Sequence, residues 1–231
     1  MVSKNKFSAE QATLRKPVLR FKIIPVTLFQ QNCTLLWCDE TGHAVVVDPG
    51  GETTRVLTVI RETGVEPVKI LLTHGHLDHV GGAAELAEHL ELPIEGPHRG
   101  DDFLLESLAL QSQMFGVPEV RGVATGRWLE DGDSVRIGAL ELRVIHCPGH
   151  SPGHVVFFDE TTRLAQVGDV LFQGSIGRTD LPRSNHQDLL DSIRRHLFPL
   201  GDDVRFIPGH GPMSSFGDER RSNPFVRDSL I

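Results

Sequence analysis

Four times in this chain of 231 residues, an apolar run ends in a glycine-bearing turn that carries histidine or aspartate. The densest case is Val68-Lys-Ile-Leu-Leu-Thr73, which reads as a buried strand and runs into His-Gly-His-Leu-Asp-His79-Val-Gly-Gly82. That motif places His74, His76, Asp78 and His79 within six positions. The device returns at His150 in Cys147-Pro-Gly-His150, after Leu140-Glu-Leu-Arg-Val-Ile145. It returns again at Asp169 in Val167-Gly-Asp-Val170, and at His210 in Phe206-Ile-Pro-Gly-His-Gly-Pro212. Glycine lets a backbone turn sharply and come close to an ion. Imidazole and carboxylate together suit zinc, iron or manganese. Side chains this polar, packed this tightly at a strand end, cannot all serve a hydrophobic core.

These motifs, together with Val47-Asp-Pro-Gly50 and Gly177-Arg-Thr-Asp180, resemble those of metallo-β-lactamase-fold hydrolases. Within that superfamily they are most similar to short glyoxalase II-like (hydroxyacylglutathione hydrolase-like) proteins, and the match spans about residues 21 to 224. The resemblance implies an α/β fold, the αββα four-layer sandwich, with two β-rich halves and outer helices. It implies two divalent metal ions, zinc first, with iron or manganese able to fill the same site. One ion would be held by His74, His76 and His150, a second by Asp78, His79 and His210, with Asp169 bridging. Asp78 would also accept a hydrogen bond from the nucleophile. The implied reaction is thioester cleavage by metal-activated hydroxide, with S-lactoylglutathione or a related acyl thioester as substrate.

Asp48, ending its strand in Val-Asp-Pro-Gly, is the candidate partner for the second nitrogen of a ligating histidine; an Asx-type turn before Pro49 is the structural reading. Arg178 is the candidate substrate contact, because a guanidinium grips a carboxylate bidentately. An ion pair with Asp180 is the competing reading. His154 falls outside the implied ligand set and is placed behind it or in the core. The cysteines Cys33, Cys38 and Cys147 read as small buried hydrophobes, with a supporting role near His150 as the other reading of Cys147.

The element pattern agrees with two packed sheets. Strands are predicted at 21–26, 34–37, 44–48, 68–73, 134–145, 154–159, 163–167 and 204–207. Helices are predicted at 53–63 (stopped by Gly64), 81–90, 100–115 and 186–197. In the 100–115 helix, Phe103, Leu104, Leu108, Leu110 and Met114 read as a core-facing stripe. No compositional break divides residues 20–231, so a single domain is expected after a polar, flexible leader over 1–19.

Composition narrows the function. A formal net charge of −8 argues against nucleic acid or an anionic membrane as the main partner. No apolar run approaches the length of a transmembrane helix, and the first residues do not look like a secretory signal. With only three cysteines, the expected compartment is the cytoplasm. Only 21 residues follow His210 and tyrosine is absent. The C-terminal helical extension and tyrosine contacts of full-length glyoxalase II enzymes are therefore not expected, which weakens glutathione specificity. The rival reading is a mono-iron persulfide dioxygenase of the same fold, using His74, His150 and Asp169. A non-catalytic scaffold is disfavoured, since it has no reason to hold seven polar groups in a costly cluster.

Overall fold

The computed structural model describes residues 16–228. The leader expected over 1–19 lies largely outside them, and its last residue, Leu19, already opens the first strand. The first half runs β1 (Leu19–Val26), β2 (Gln31–Cys38), β3 (His43–Val47), α1 (Thr53–Thr63), β4 (Glu66–Leu71), α2 (Leu77–Val80), α3 (Ala83–Leu90), β5 (Ile94–Glu95), α4 (Asp102–Glu106) and α5 (Leu108–Phe115). The second half runs β6 (Ser134–Ile137), β7 (Leu140–His146), β8 (Val155–Asp159), β9 (Leu164–Gly168), β10 (Leu171–Phe172), β11 (Ser175–Ile176), α6 (His186–Asp191), β12 (Arg205–Pro208), β13 (Ser214–Ser215) and α7 (Phe216–Ser222).

One sheet has the order β1-β2-β3-β4-β5 and the other β13-β12-β9-β8-β7-β6, with β10-β11 a separate pair. The two-residue period of the strands sorts their side chains between layers. In β3, Ala44 and Val46 join the core beneath Val56 and Ile60 of α1, while Val45 and Val47 join the core between the sheets. In β8, Val155 and Phe157 face the first sheet, and Val156 and Phe158 face Leu189 of α6. Strands buried on both faces are therefore near-continuous apolar runs, as the sequence has them. The result is the αββα sandwich.

The parallel pairs set the site. β3 pairs parallel with β4, and β9 with β12, so each pair delivers both of its C-terminal loops to one edge. The two sheets are joined there. Val155 N donates to Thr73 O at 2.8 Å, and Asn32 N donates to Gly209 O at 2.7 Å.

Several predicted elements are divided. The 134–145 segment is a hairpin, turning at Gly138 with φ +57°. The 186–197 helix starts on the Asn185 cap, whose side chain accepts from Gln187 N and Asp188 N. It then widens to π geometry over Ser192–Leu197. The helix expected from 81 begins at Ala83, and a separate short helix, α2, lies before it inside the ligand motif and carries Asp78 and His79.

The 100–115 segment departs most. Its first turn, Arg99–Asp101, is 3₁₀, and the helix breaks at Ser107 (φ −98°, ψ 14°). There Ser107 N, Ser107 Oγ and Gln111 Nε2 all donate to Leu104 O, so side chains share the carbonyl that ends α4. Its apolar stripe is also not all core. Leu104 and Leu108 are buried, but Leu110 and Met114 are exposed, at 56% and 69%.

Candidate metal centre

Four of the five inward histidines are held through their far nitrogens. Thr73 Oγ1 donates to Asp48 Oδ2 at 2.6 Å and so receives His74 Nδ1 at 3.0 Å. His79 Nδ1 donates to Asp48 Oδ2 at 2.9 Å. His150 Nδ1 donates to Arg178 O at 2.9 Å, and His210 Nδ1 to Phe29 O at 3.0 Å. In all four the network fixes the proton on Nδ1, leaving the Nε2 lone pair aimed inward. His76 differs by presenting Nδ1, 2.9 Å from His150 Nε2.

Two triads result, His74–His76–His150 and Asp78–His79–His210, each with its ligand atoms within 4.8 Å of one another. Asp169 lies between them. Its Oδ1 is 3.3 Å from His79 Nε2, and its Oδ2 is 3.7 Å from His150 Nε2 and 3.6 Å from His210 Nε2. Two atoms bound to one ion at about 2.1 Å stand roughly 3.4 Å apart in a tetrahedral site.

His74 Nε2, His79 Nε2 and Asp169 Oδ1 are buried with no hydrogen-bond partner. Buried polar atoms are ordinarily paired, and these three belong to the two triads and to the carboxylate between them. The donor set fits divalent ions.

Electrostatics separates the triads. Burial holds His74, His76 and His150 below the ordinary imidazole range, His76 to about 3, and neighbouring imidazoles add to the effect on His74 and His76. Burial acts the same way on His79 and His210. For His79 it is outweighed by the carboxylates of Asp169 and Asp78, and for His210 by the hydrogen bond to Asp78, so both are raised.

The partners of Asp48 are long-range: besides His79 Nδ1 and Thr73 Oγ1, it accepts from Thr73 N at 2.7 Å. His154 lies behind the cluster. It stacks on His74 with ring centroids 4.7 Å apart, and its Nε2 accepts from Asp169 N at 3.0 Å. Arg178 lines the cavity over the site, and its guanidinium is bidentate to Asp180, both contacts 2.7 Å. The three cysteines are free and buried. Burial pushes the Cys147 thiol well above its usual range, and its backbone N–H donates to His154 O.

Gly209 shows how tight the packing is. A Cβ there would lie 1.9 Å from Asp169 Oδ1 and 2.7 Å from His79 Cε1.

Two residues escaped the sequence reading. Asp101, fully buried, accepts from Gly75 N (2.9 Å), Ser151 Oγ (2.7 Å) and Gly153 N (2.5 Å). It thereby ties the loop of His74 and His76 to the loop of His150. Gln111 Oε1 accepts from Leu77 N at 2.9 Å, satisfying the first free N–H of α2. Neither sits in a motif, and nothing local marks them.

The family model described as Metallo-beta-lactamase superfamily matches residues 26–210. The chain belongs to that superfamily. It is 46% identical over 209 residues to the hydroxyacylglutathione hydrolase GloC of Haemophilus influenzae, which covers 90% of this chain and 98% of that one. Two crystal structures of the same metallo-β-lactamase fold are similar to it. BLEG-1 B3 metallo-beta-lactamase has a TM-score of 0.83 at 35% identity, covering 90% of this chain and 99% of that one. TTHA1623 in a di-iron-bound form has a TM-score of 0.80 at 39% identity, covering 89% and 100%. As a metallo-β-lactamase superfamily member with this cluster, the chain is a metal-dependent hydrolase.

The site opens into a cavity of about 740 Å³, lined by His76, Asp78, His150, Asp169 and His210 at one end. Among the described residues no helix is long and apolar enough to cross a membrane.

Proposed function

We propose that the protein is a binuclear thioesterase of the glyoxalase II type, acting on a small-molecule acyl thioester. His74, His76 and His150 would hold one divalent ion, and Asp78, His79 and His210 the second, with Asp169 shared. The position of the Asp169 carboxylate, within 3.3–3.7 Å of nitrogens from both triads, carries this reading. Ions bound there would supply water activated at neutral pH and a polarised substrate carbonyl.

The chain's residues do the rest. Asp78 lines the cavity and is placed to accept a hydrogen bond from the attacking water. Asp48, Thr73, Arg178 O and Phe29 O keep each imidazole in the tautomer that leaves its inner nitrogen unprotonated. Arg178 holds its loop through Asp180 and contributes its carbonyl to His150, which favours that role over a grip on substrate. In the balanced reaction, water adds to the carbonyl carbon and the C–S bond breaks. The departing thiolate takes the proton water gives up, leaving a carboxylic acid and a thiol. A thiolate leaves without strong general-acid help.

The similarity to the Haemophilus influenzae hydrolase supports a glutathione conjugate as the first substrate to test. Zinc is the first metal to test, and the di-iron form of the TTHA1623 structure supports iron as an alternative. The buried free cysteines support a reducing, cytoplasmic setting.

The test is elemental analysis of the purified protein, with S-lactoylglutathione hydrolysis and glutathione-persulfide oxygen uptake assayed on the same sample. About two ions per chain with thioester cleavage is expected, and Asp169→Ala should remove most of both. One iron with oxygen uptake would make the protein a persulfide dioxygenase instead.

A further inference from the structure

The cavity over the cluster is far more apolar than a site for a charged thioester requires. One wall comes from the broken helix: Phe103, Leu104, Leu110, Met114 and Phe115. Phe29, Phe172, Ile176 and Leu181 line it as well. Phe29 and Phe115 are in edge-to-face contact, with centroids 5.8 Å apart.

Exposure points the same way. Five large apolar side chains are exposed among the described residues, and three of them, Leu110, Met114 and Phe115, line this cavity. Exposed apolar residues are ordinary when scattered; gathered around one cavity they mark a binding surface.

Charge is the second observation. Among the described residues Arg178 is the only lysine or arginine lining the cavity, and both of its Asp180 contacts are 2.7 Å. Its positive charge is already matched. No other guanidinium or ammonium lines the walls; that of Arg183, at the edge, lies over the Phe103 ring at 4.1 Å.

We infer that this cavity takes an uncharged, apolar acyl chain of a thioester, extending from a carbonyl at the His/Asp cluster along the wall of Leu110 and Met114. This deepens the thioesterase reading and rests on it. The selected substrate feature is then the length of the acyl chain, rather than the charge of the thiol that leaves. A lactoyl group would leave most of the apolar wall uncovered.

The test is binding of two thioethers of N-acetylcysteamine that cannot be hydrolysed, S-octyl and S-ethyl, by calorimetry on the protein as purified. Each buried methylene tightens binding about fourfold, so the octyl compound is expected to bind at least about tenfold better. Leu110→Glu or Met114→Glu should erase that difference, and both sites are exposed enough to leave the fold intact. Phe225→Glu, exposed away from the cavity, should preserve it.

Equal affinities in the wild type, or a difference that survives both wall variants, would overturn the inference. Turnover of S-acetyl- and S-octanoyl-N-acetylcysteamine reads the thioesterase reading separately. Turnover with length-independent binding sinks the acyl-chain inference alone, whereas chain-length-dependent binding with no turnover sinks the thioesterase reading and with it the assignment of the bound chain to a thioester.

Discussion

Asp48 Oδ2 receives the Nδ1 proton of His79 at 2.9 Å while its other oxygen holds Thr73 N at 2.7 Å. One carboxylate thus fixes both the end of the strand that leads into the ligand loop and the orientation of a ligand on the next helix. Asn at position 48 cannot accept on both atoms. Asp48→Asn should weaken metal binding at the Asp78–His79–His210 triad by about 10- to 100-fold, measured by competition with a chromophoric chelator. Unchanged affinity would reduce Asp48 to a fold contact.

The triads should differ in proton release. His79 is raised well above its ordinary value and so carries a proton at neutral pH in the metal-free protein, and His210 is raised in the same direction, whereas His76 and His150 are lowered. Metal must displace bound protons. Calorimetric titrations at pH 7 in two buffers of different ionisation enthalpy should show release of one to two protons. The release should vanish in a His79→Ala, His210→Ala double variant.

Asp101 should leave a pH signature on stability. Burial pushes its carboxyl up to about 6, despite hydrogen bonds from Ser151, Gly75 and Gly153 that lower it. The unfolded carboxyl titrates near 4. Between those values the folded chain binds more protons, so this group's stabilisation is present below about pH 4 and is lost as pH rises through 6. Denaturant midpoints of the wild type and Asp101→Asn should show their stability difference falling by an amount on the order of 3 kcal/mol across that window. A flat difference would show that Asp101 titrates alike in both states.

Gly209→Ala sets a methyl group 1.9 Å from Asp169 Oδ1. The β9–β12 edge has no slack, because Gly209 N donates to Gly168 O at 2.7 Å. Far-ultraviolet circular dichroism should be unchanged, while metal content falls below two ions and hydrolysis drops by at least about 100-fold. Wild-type activity in this variant would mean that Asp169 can move freely.

The cluster was legible because its members are crowded into short motifs, and glycines beside His150, Asp169 and His210 announce close approach. The layers were legible because β-branched runs such as Ala44–Val47 bury both faces. Asp101 was not, since its partners lie 26, 50 and 52 residues away and Arg99-Gly-Asp-Asp102 reads locally as a polar surface turn. Gln111 was hidden likewise, its contact with Leu77 spanning 34 residues. The stripe from Phe103 to Met114 was assigned to the core because periodicity shows which face is apolar but not whether anything covers it. Here α4 and α5 leave part of that face bare over the site.

That break at Ser107 separates chemistry from selectivity along the chain. The groups that would activate water stand on strand-end loops and on the short α2, at the edge where the two sheets are joined. Much of the wall that would choose a substrate stands on two short surface helices, joined to the rest of the site by Gln111 and Asp101. Recasting residues 103–115 while leaving Gln111 in place is therefore a route to new substrates on an unaltered hydrolytic engine.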